Sequence, residues 1–264
     1  MKRLIIFLTL FITAPVVAAT NFPHGLQLGL GVSATGGLNI AFGYYNSQNS
    51  GYAASHFGVR ADFADVAPLK SAIDSAIDSY MRDGRDIGDG VKIDEGKLDA
   101  WHGSVLLDFY PFAGWWRITG GYTWGAMQLD SSIFGTVENA PSERFYFNLA
   151  GDHYYYNGNA FRGSVTIDWN YNGPYLGTGF DINLFCGFSI FADIGVVLTN
   201  RPARLSLDVP QEQLYIYNSQ TQTWSPVTIA ALDADIARAR QEANRKLADI
   251  RLYPMLKLGF AYRF

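Results

Sequence analysis

Apolar and polar residues alternate along most of this chain, and an alternation of two is the period of a β-strand. The pattern is clearest in residues 251–264. The apolar positions there are Leu256, Leu258, Phe260, Tyr262 and Phe264, and the positions between them are Lys257, Gly259, Ala261 and Arg263. One face of this strand is therefore apolar and the other carries glycine and charge, which is typical of a barrel with lipid outside and a polar interior.

The same two-faced pattern predicts seven more strands. They cover residues 26–32, 38–45, 56–63, 98–109, 116–125, 161–180 and 188–207. Pro174 lies inside the sixth of these segments and predicts a bulge or bend, because proline cannot donate to a strand ladder. Eight strands, with short turns at one end and three long loops at the other, predict an all-β fold: an eight-stranded antiparallel transmembrane up-and-down β-barrel with extracellular long loops.

Two of the long loops contain apolar residues every three or four positions, which is the period of an amphipathic helix. The first set is Val66, Leu69, Ile73, Ile77 and Tyr80, and the second is Ile229, Leu232, Ile236, Ala243 and Leu247. Asp65 and Thr228 are placed to cap them. We therefore expect short helices in two extracellular loops, with Asp235 on the polar side of the second. That helix is interpreted as a lid or support on the barrel rim, with a partner-binding helix as the alternative.

An acidic segment follows the first predicted helix. Its carboxylates are Asp83, Asp86, Asp89, Asp94 and Glu95. A calcium loop needs oxygen ligands at its first, third and fifth positions, but Arg85 and Ile87 hold the third and fifth positions counted from Asp83. We expect a solvated acidic loop, with divalent-cation binding as the alternative. No other metal or cofactor site is indicated.

The first residues have the pattern of a secretory signal peptide. Lys2 and Arg3 precede an apolar run, and Val17-Ala18-Ala19 provides small residues at the cleavage positions. We therefore expect a signal peptide at 1–19 and a barrel domain at 20–264. No later stretch is long and apolar enough for a transmembrane helix, so a membrane location requires strands.

Composition and charge exclude some classes of function. The 264 residues include 27 glycines and 15% aromatic residues, and the formal net charge is −4. A mildly acidic chain without a basic run argues against a nucleic-acid partner. The single cysteine, Cys186, cannot form an internal disulfide, so it is interpreted as a small apolar residue near a turn.

The inward positions of the predicted strands carry charges of both signs. We predict a lumen polar network made of Arg60, Asp62, His102, Asp108, Arg117, Asp193, Lys257 and Arg263. The interior of an eight-stranded barrel is just wide enough for side chains to fill. Because buried charges must be paired, these residues are expected to contact one another.

The end of the chain resembles a known assembly signal. Lys257, Gly259, Tyr262 and Phe264 match the C-terminal β-signal of Gram-negative outer-membrane barrels, which has a polar residue, a glycine, an aromatic residue and a final Phe. The resemblance implies contact with the barrel-assembly machinery during biogenesis. It also implies a bacterial outer-membrane location, with lipid and lipopolysaccharide as partners.

Three further segments resemble the CarO-like family of small outer-membrane barrels. They are Pro174-Tyr175-Leu176-Gly177-Thr178-Gly179, the Asp193-Ile194-Gly195 strand followed by Arg201-Pro202, and Tyr253-Pro254 in the last strand. The residues that carry the resemblance are few and are spread over most of the mature chain. It implies an eight-stranded, channel-like protein, and the family is linked to uptake of ornithine and other basic amino acids.

Two functions remain open from the sequence. One is a narrow channel for uptake of small solutes, including cationic ones, with a small-solute ligand; the other is a closed structural or surface-interaction barrel without transport. A hydrolase acting on membrane lipid was a third possibility, since His102 and Ser104 share a strand face. That face is predicted to point inward and no acid is placed to orient the histidine, so we expect no catalytic residues and no enzymatic activity.

Overall fold

The computed structural model describes residues 25–44, 56–81, 85–88, 91–135, 145–157, 161–210 and 212–264. The predicted signal peptide, 1–19, lies outside the described residues. So do Asp83 and Asp89 of the acidic segment and the side chains of Asp86 and Asp94. The predictions made for that segment are therefore not tested.

The described part of the chain contains fourteen β-strands and two α-helices. The strands are β1 (Leu26–Ser33), β2 (Gly37–Tyr44), β3 (Phe57–Asp65), β4 (Arg85–Gly88), β5 (Val91–Phe109), β6 (Trp116–Gly135), β7 (Phe145–Leu149), β8 (Asp152–Tyr156), β9 (Phe161–Asn183), β10 (Phe188–Leu198), β11 (Arg204–Asp208), β12 (Leu214–Asn218), β13 (Thr223–Pro226) and β14 (Leu252–Arg263). The helices are α1 (Lys70–Met81), which a 3₁₀ turn at Ala67–Leu69 precedes, and α2 (Ile229–Ala248).

Eight of the strands form a closed antiparallel barrel. Their order around the barrel is β1, β2, β3, β5, β6, β9, β10 and β14. The barrel closes where β14 pairs with β1, from Gln27 opposite Arg263 to Ser33 opposite Lys257. The predicted eight-stranded up-and-down barrel is therefore confirmed.

The connections at the two ends of the barrel differ in length, as predicted. At one end β5 joins β6 through residues 110–115, and β9 joins β10 through residues 184–187. Cys186 lies in the second of these turns. The three long connections lie at the opposite end and contain α1, the pair β7 and β8, and the segment from β11 to α2.

Three of the barrel strands are longer than the sequence pattern predicts. β5, β6 and β9 continue beyond the barrel at the long-loop end, where β6 and β9 remain paired as far as Gly135 and Phe161. The predicted seventh strand, 188–207, is wrong in its second half: β10 ends at Leu198, and the separate strand β11 pairs back on β9. The apolar pattern past Pro202 belongs to this returning strand.

The predicted bulge at Pro174 is also wrong. The register between β6 and β9 is continuous, with Tyr122 opposite Pro174. On its other side, β9 pairs with β10 only from Tyr175 onward, and with β11 only up to Asp168. Pro174 therefore lies where β9 changes neighbours, so its missing N–H costs no ladder hydrogen bond on that side.

The outer surface of the barrel is apolar and its interior is mixed. Leu256, Leu258 and Phe260 of β14 are each more than half exposed, whereas the alternate residues Met255 and Lys257 are buried. The other barrel strands follow the same rule, with Val59, Phe63, Val105, Leu107, Leu176 and Ile194 on the exposed side. None of the helices among the described residues is both long and apolar enough to cross a bilayer.

α1 covers an edge that β5 would otherwise leave open. β3 ends at Asp65, opposite Trp101, so the preceding residues of β5 lack a strand partner from β3. Asp74 and Asp78 of α1 accept hydrogen bonds from the backbone N–H groups of Leu98 (3.2 Å) and Gly96 (3.3 Å). Asp65 also accepts a bond from the N–H of Ala67 (2.8 Å). The N-cap position is nevertheless held by Val66, without a side-chain cap bond, so the predicted cap at Asp65 is wrong by one residue.

The strands β7, β8, β12 and β13 form a second, four-stranded sheet, and α2 packs against one face of it. We call the sheet and α2 together the loop module. Leu232 and Ile236 of α2 join a core with Phe147, Tyr154 and residues of the projecting barrel strands. Thr228 caps α2 as predicted, accepting a bond from the N–H of Ala231 (3.3 Å).

The expected solvent-facing position of Asp235 is wrong. Asp235 is buried, and it accepts hydrogen bonds from the Tyr154 hydroxyl and from Arg238. Burial, and next the hydrogen bond to Asp235, raise the pKa of Tyr154 well above its usual range. The periodicity of α2 could not reveal this, since the partner lies on β8, about eighty residues earlier in the chain.

Candidate functional site

The interior of the barrel brings six of the predicted charged residues together. Arg60 and Asp62 extend from β3, Asp108 from β5, Arg117 from β6, Asp193 from β10 and Lys257 from β14. All six are less than a tenth exposed. Alternation along each strand explains their direction, because residues two apart share the inner face.

Asp193 lies at the centre of this group. One carboxylate oxygen accepts a hydrogen bond from Arg60 Nη1 and the other accepts one from Arg117 Nη2, each at 2.7 Å. A single carboxylate therefore bridges two guanidinium groups that come from different strands. Charge-assisted bonds of this kind are stronger than bonds between neutral groups.

Asp108 lies against the same two arginines. Its oxygens are 3.3 Å from Arg60 Nε and 3.5 Å from Arg117 Nε, and it also accepts a bond from the Thr119 hydroxyl at 2.6 Å. Two carboxylates and two guanidinium groups are thus interleaved across β3, β5, β6 and β10. The arrangement ties strands on opposite sides of the barrel to one another.

Lys257 and Asp62 form a second pair beside the first group. Lys257 Nζ donates to Asp62 at 2.6 Å, and the other oxygen of Asp62 lies 3.7 Å from Arg60 Nε. Both side chains of this pair are essentially inaccessible to solvent. Arg60 therefore connects the pair to the central group.

Asp181 belongs to this set although the sequence interpretation missed it. Arg117 Nη1 donates to Asp181, which also accepts a bond from the Tyr110 hydroxyl at 2.7 Å. The sixth strand was predicted to end at residue 180, and so Asp181 was assigned to a turn. The alternation along the strand could have identified Asp181 as an inward residue, because it continues the inward positions of Gly177 and Gly179. We call Arg60, Asp62, Asp108, Arg117, Asp181, Asp193 and Lys257 the lumen network.

The two other residues that were predicted for the network are His102 and Arg263. His102 is fully buried, but its two ring nitrogens have no hydrogen-bond partner among the described residues. Its ring lies directly under Gly36, where an added Cβ would come within 2.5 Å of it. Arg263 is only partly buried, at the short-turn end of β14, where its backbone N–H donates to Gly187.

The space beside the central group is small. A cavity of about 10 Å³ is lined by Arg60, Asp108, Arg117 and Asp181 among others, and this is room for about one water molecule. Nearer the long loops, the rings of Tyr171 and Tyr253 stack with centroids 3.8 Å apart, and the Tyr253 hydroxyl donates to the Thr35 carbonyl at 3.1 Å. Side chains thus fill the barrel at two levels.

The charges of the lumen network do not balance. Three cations (Arg60, Arg117 and Lys257) contact four carboxylates (Asp62, Asp108, Asp181 and Asp193). With every group ionised, the network carries one surplus negative charge. Such a surplus favours cations over anions near the centre of the barrel.

Ser104 lacks the geometry of a nucleophile activated by His102. Its hydroxyl accepts a hydrogen bond from the Thr123 hydroxyl at 2.9 Å. The His102 nitrogens have no partner among the described residues, so no histidine-to-serine hydrogen bond is present there. The hydrolase alternative therefore gains no support from the site.

The residues of the proposed assembly signal lie along the seam of the barrel. Gly259 faces Gly31 across it, and the ring of Tyr262 packs edge-on against Phe188 and Phe264, with centroids 4.8 and 4.9 Å away. The N–H of Phe264 donates to the Leu26 carbonyl, and the Phe264 carbonyl accepts from Gly25. Recognition of these residues by an assembly machine stays a prediction.

No protein-family model matches the chain, and a search of curated proteins gives no match. The solved structures that share its fold include two proteins of Acinetobacter baumannii. Acinetobacter baumannii CarO has 13% identity and a TM-score of 0.54, and the match covers 91% of this chain and 98% of CarO. Acinetobacter baumannii CarO2 also has 13% identity, with a TM-score of 0.57 and coverage of 92% and 100%. At this identity the likeness concerns the fold, and it shows that the chain has the barrel architecture of the CarO structures over nearly its whole length.

Proposed function

We propose that this protein is an outer-membrane barrel with a closed interior, and that the barrel anchors the loop module at the cell surface. The apolar outer face supports the membrane location, because only a closed barrel satisfies all strand hydrogen bonds within lipid. The fold shared with the CarO structures supports the outer membrane in particular.

The main observation in favour of a closed interior is that Asp193 bridges Arg60 and Arg117. A carboxylate held by two buried guanidinium groups cannot leave without breaking two buried charge-assisted hydrogen bonds, which is costly. The bridge links β3, β6 and β10 across the barrel, and the adjoining cavity has room for about one water molecule. An ornithine-sized solute would therefore require the whole network to rearrange.

Conductance measurements on refolded protein test this proposal. In planar bilayers with symmetric salt, wild-type protein is expected to give no steps above the background of the lipid, while a known porin in the same bilayers gives clear steps. Reproducible single-channel steps from the wild-type protein would show that the interior opens, and the closed-barrel proposal would be abandoned.

A narrow cation channel is the second candidate, and the surplus negative charge of the lumen network favours it. It also agrees with the uptake of basic amino acids that the family resemblance implies. Proteoliposome swelling distinguishes the two candidates. Faster swelling in ornithine than in an anionic solute of equal size would support the channel, whereas equal swelling at the rate of empty liposomes would support the closed barrel.

A further inference from the structure

The loop-module sheet has one face that α2 does not cover. Along each strand, the residues next to those of the α2-facing core point to the opposite side. These are Tyr146, Asn148, His153, Tyr155, Tyr215, Tyr217 and Trp224. Five of the seven are aromatic, and we call this set the aromatic face. It lies on the side of the sheet away from Leu232 and Ile236.

The rings of the aromatic face form a continuous surface. Tyr155 and Tyr215 stack almost in parallel with centroids 4.6 Å apart, and Trp224 lies 4.7 Å from Tyr155 in an edge arrangement. Trp224 also contacts Tyr217 at 5.1 Å and Tyr146 at 5.7 Å. Tyr146 is 51% exposed. Mutual packing of this kind holds the rings in place before any ligand arrives, which reduces the entropy cost of binding.

A cavity opens on one part of this face. Its volume is about 290 Å³, and its lining includes Tyr146, Asn148, His153, Tyr217 and Trp224. This is close to the lower limit of roughly 300 Å³ for small-molecule sites. Asn148 Oδ1 is hydrogen-bonded to His153 Nδ1, so the amide and the imidazole are held in fixed orientations at the polar end of the cavity.

The chemistry of the lining indicates the class of ligand. The described lining residues of the cavity include no carboxylate, lysine or arginine. It does provide flat aromatic faces beside an amide, an imidazole and phenol hydroxyls, which together donate and accept hydrogen bonds. A sugar ring has the complementary surface, because its C–H groups form apolar faces and its hydroxyls project from the edge.

We propose that the aromatic face binds a neutral saccharide. A pyranose ring stacks on Tyr217 and Trp224, and Asn148 and His153 form hydrogen bonds with its hydroxyl groups. This inference rests on the proposed function in one respect: the loop module must lie outside the cell to meet glycans. The glycan can come from lipopolysaccharide of the same membrane or from another surface, and the chemistry of recognition is shared.

Saturation-transfer NMR on the full-length protein, refolded in a phosphocholine detergent without sugar headgroups, tests the proposal. The ligands are the methyl pyranosides of glucose, galactose, mannose and N-acetylglucosamine, and an uncharged core oligosaccharide of lipopolysaccharide that contains only outer-core hexoses, without Kdo or phosphate. We expect binding of at least one of them, weakened about tenfold or more in Trp224→Ala and in Tyr217→Ala. Binding of the core oligosaccharide alone identifies the protein's own membrane as the source, and binding of simple pyranosides identifies free or foreign glycans.

Three controls keep the result interpretable. Trp115→Ala removes an indole that is 63% exposed at the opposite end of the barrel, and it should bind like the wild type. Asn148→Ala keeps every ring and should still weaken binding. A heat-dependent shift in gel mobility verifies that each variant is folded. The proposal is overturned if the wild type binds none of the saccharides, or if Trp224→Ala binds as well as the wild type. Neither result bears on conductance, so failure here leaves the closed barrel intact.

Discussion

Single residues in the lumen network depend on one another because buried charges are stable only when they are paired. Asp193 contacts both Arg60 and Arg117, and Asp108 contacts the same two arginines less closely. Replacing one member with an apolar residue breaks its charge-assisted hydrogen bonds in a region that excludes water. The resulting loss of unfolding free energy is expected to be larger for a buried pair than for a pair at the surface.

Asp193→Ala is therefore expected to lower the free energy of unfolding by about 3–5 kcal/mol, because it removes two buried hydrogen bonds between charged groups, each contributing about 1.5–3 kcal/mol. The measurement is the midpoint of urea unfolding in detergent, followed by the gel-mobility shift. The matched control is Asp99→Ala, whose carboxylate pairs with Lys70 at 2.9 Å but is 60% exposed; an exposed pair contributes about 0–1 kcal/mol. Equal midpoints for the two variants would contradict the pairing described here.

Whole elements are stabilised by covering strand edges as well as by packing. An uncovered edge presents unpaired N–H and C=O groups and invites pairing with other chains. β5 avoids this in an unusual way, since side chains of α1 replace the missing strand. Lys70 donates to the Leu98 carbonyl (3.2 Å), and Asp74 and Asp78 accept from the Leu98 and Gly96 N–H groups. The helix therefore acts as an edge cover for β5.

We expect the double variant Asp74→Ala, Asp78→Ala to expose the edge of β5. Each lost hydrogen bond contributes about 1 kcal/mol, so the Gly96 and Leu98 amides should exchange with solvent about fivefold faster. Hydrogen–deuterium exchange measured by mass spectrometry reports this change. Ser75→Ala, at an exposed position of the same helix, is the control and should leave exchange unchanged. Unaltered exchange in the double variant would mean that α1 does not protect this edge.

At the scale of the whole molecule, the two ends of the barrel have different roles. The short-turn end carries exposed aromatic residues, such as Phe112 and Phe185. It also carries the hydrogen bond from the Gly25 N–H to the Phe264 carbonyl. The other end carries α1 and the loop module. Aromatic residues at a barrel rim are typical of the membrane interface, and the loop end is the one we assign to the cell surface.

Phe264→Lys is expected to lower the amount of folded protein in the outer membrane several-fold, because we interpret the last residue as part of an assembly signal. The measurement is the heat-modifiable band in membrane fractions. Phe185→Lys is the matched control, since Phe185 is a 68% exposed aromatic residue at the same end of the barrel. Equal yields for both variants and the wild type would show that Phe264 is not part of an assembly signal.

Local sequence was sufficient for those parts of the structure that depend on a residue and its near neighbours. The period of two assigns Leu258 to the outside and Lys257 to the inside without any knowledge of other strands, because the backbone alone imposes that alternation. Thr228 could be identified as a cap for the same reason: a cap bonds to an N–H group only a few residues away. The number of barrel strands and the two helices followed from such local rules, whereas the strands of the loop module did not.

Tertiary structure decided which residues meet across the chain. Asp181 joins Arg117, and Asp235 is buried by Tyr154, through contacts separated by 64 and 81 positions. The return of β11 onto β9 and the aromatic face likewise depend on which strands become neighbours. Periodicity determines the direction of a side chain but not its partner. The partner is set only when the barrel closes and its loops fold together, because pairing and exclusion of water then decide where each charge is stable.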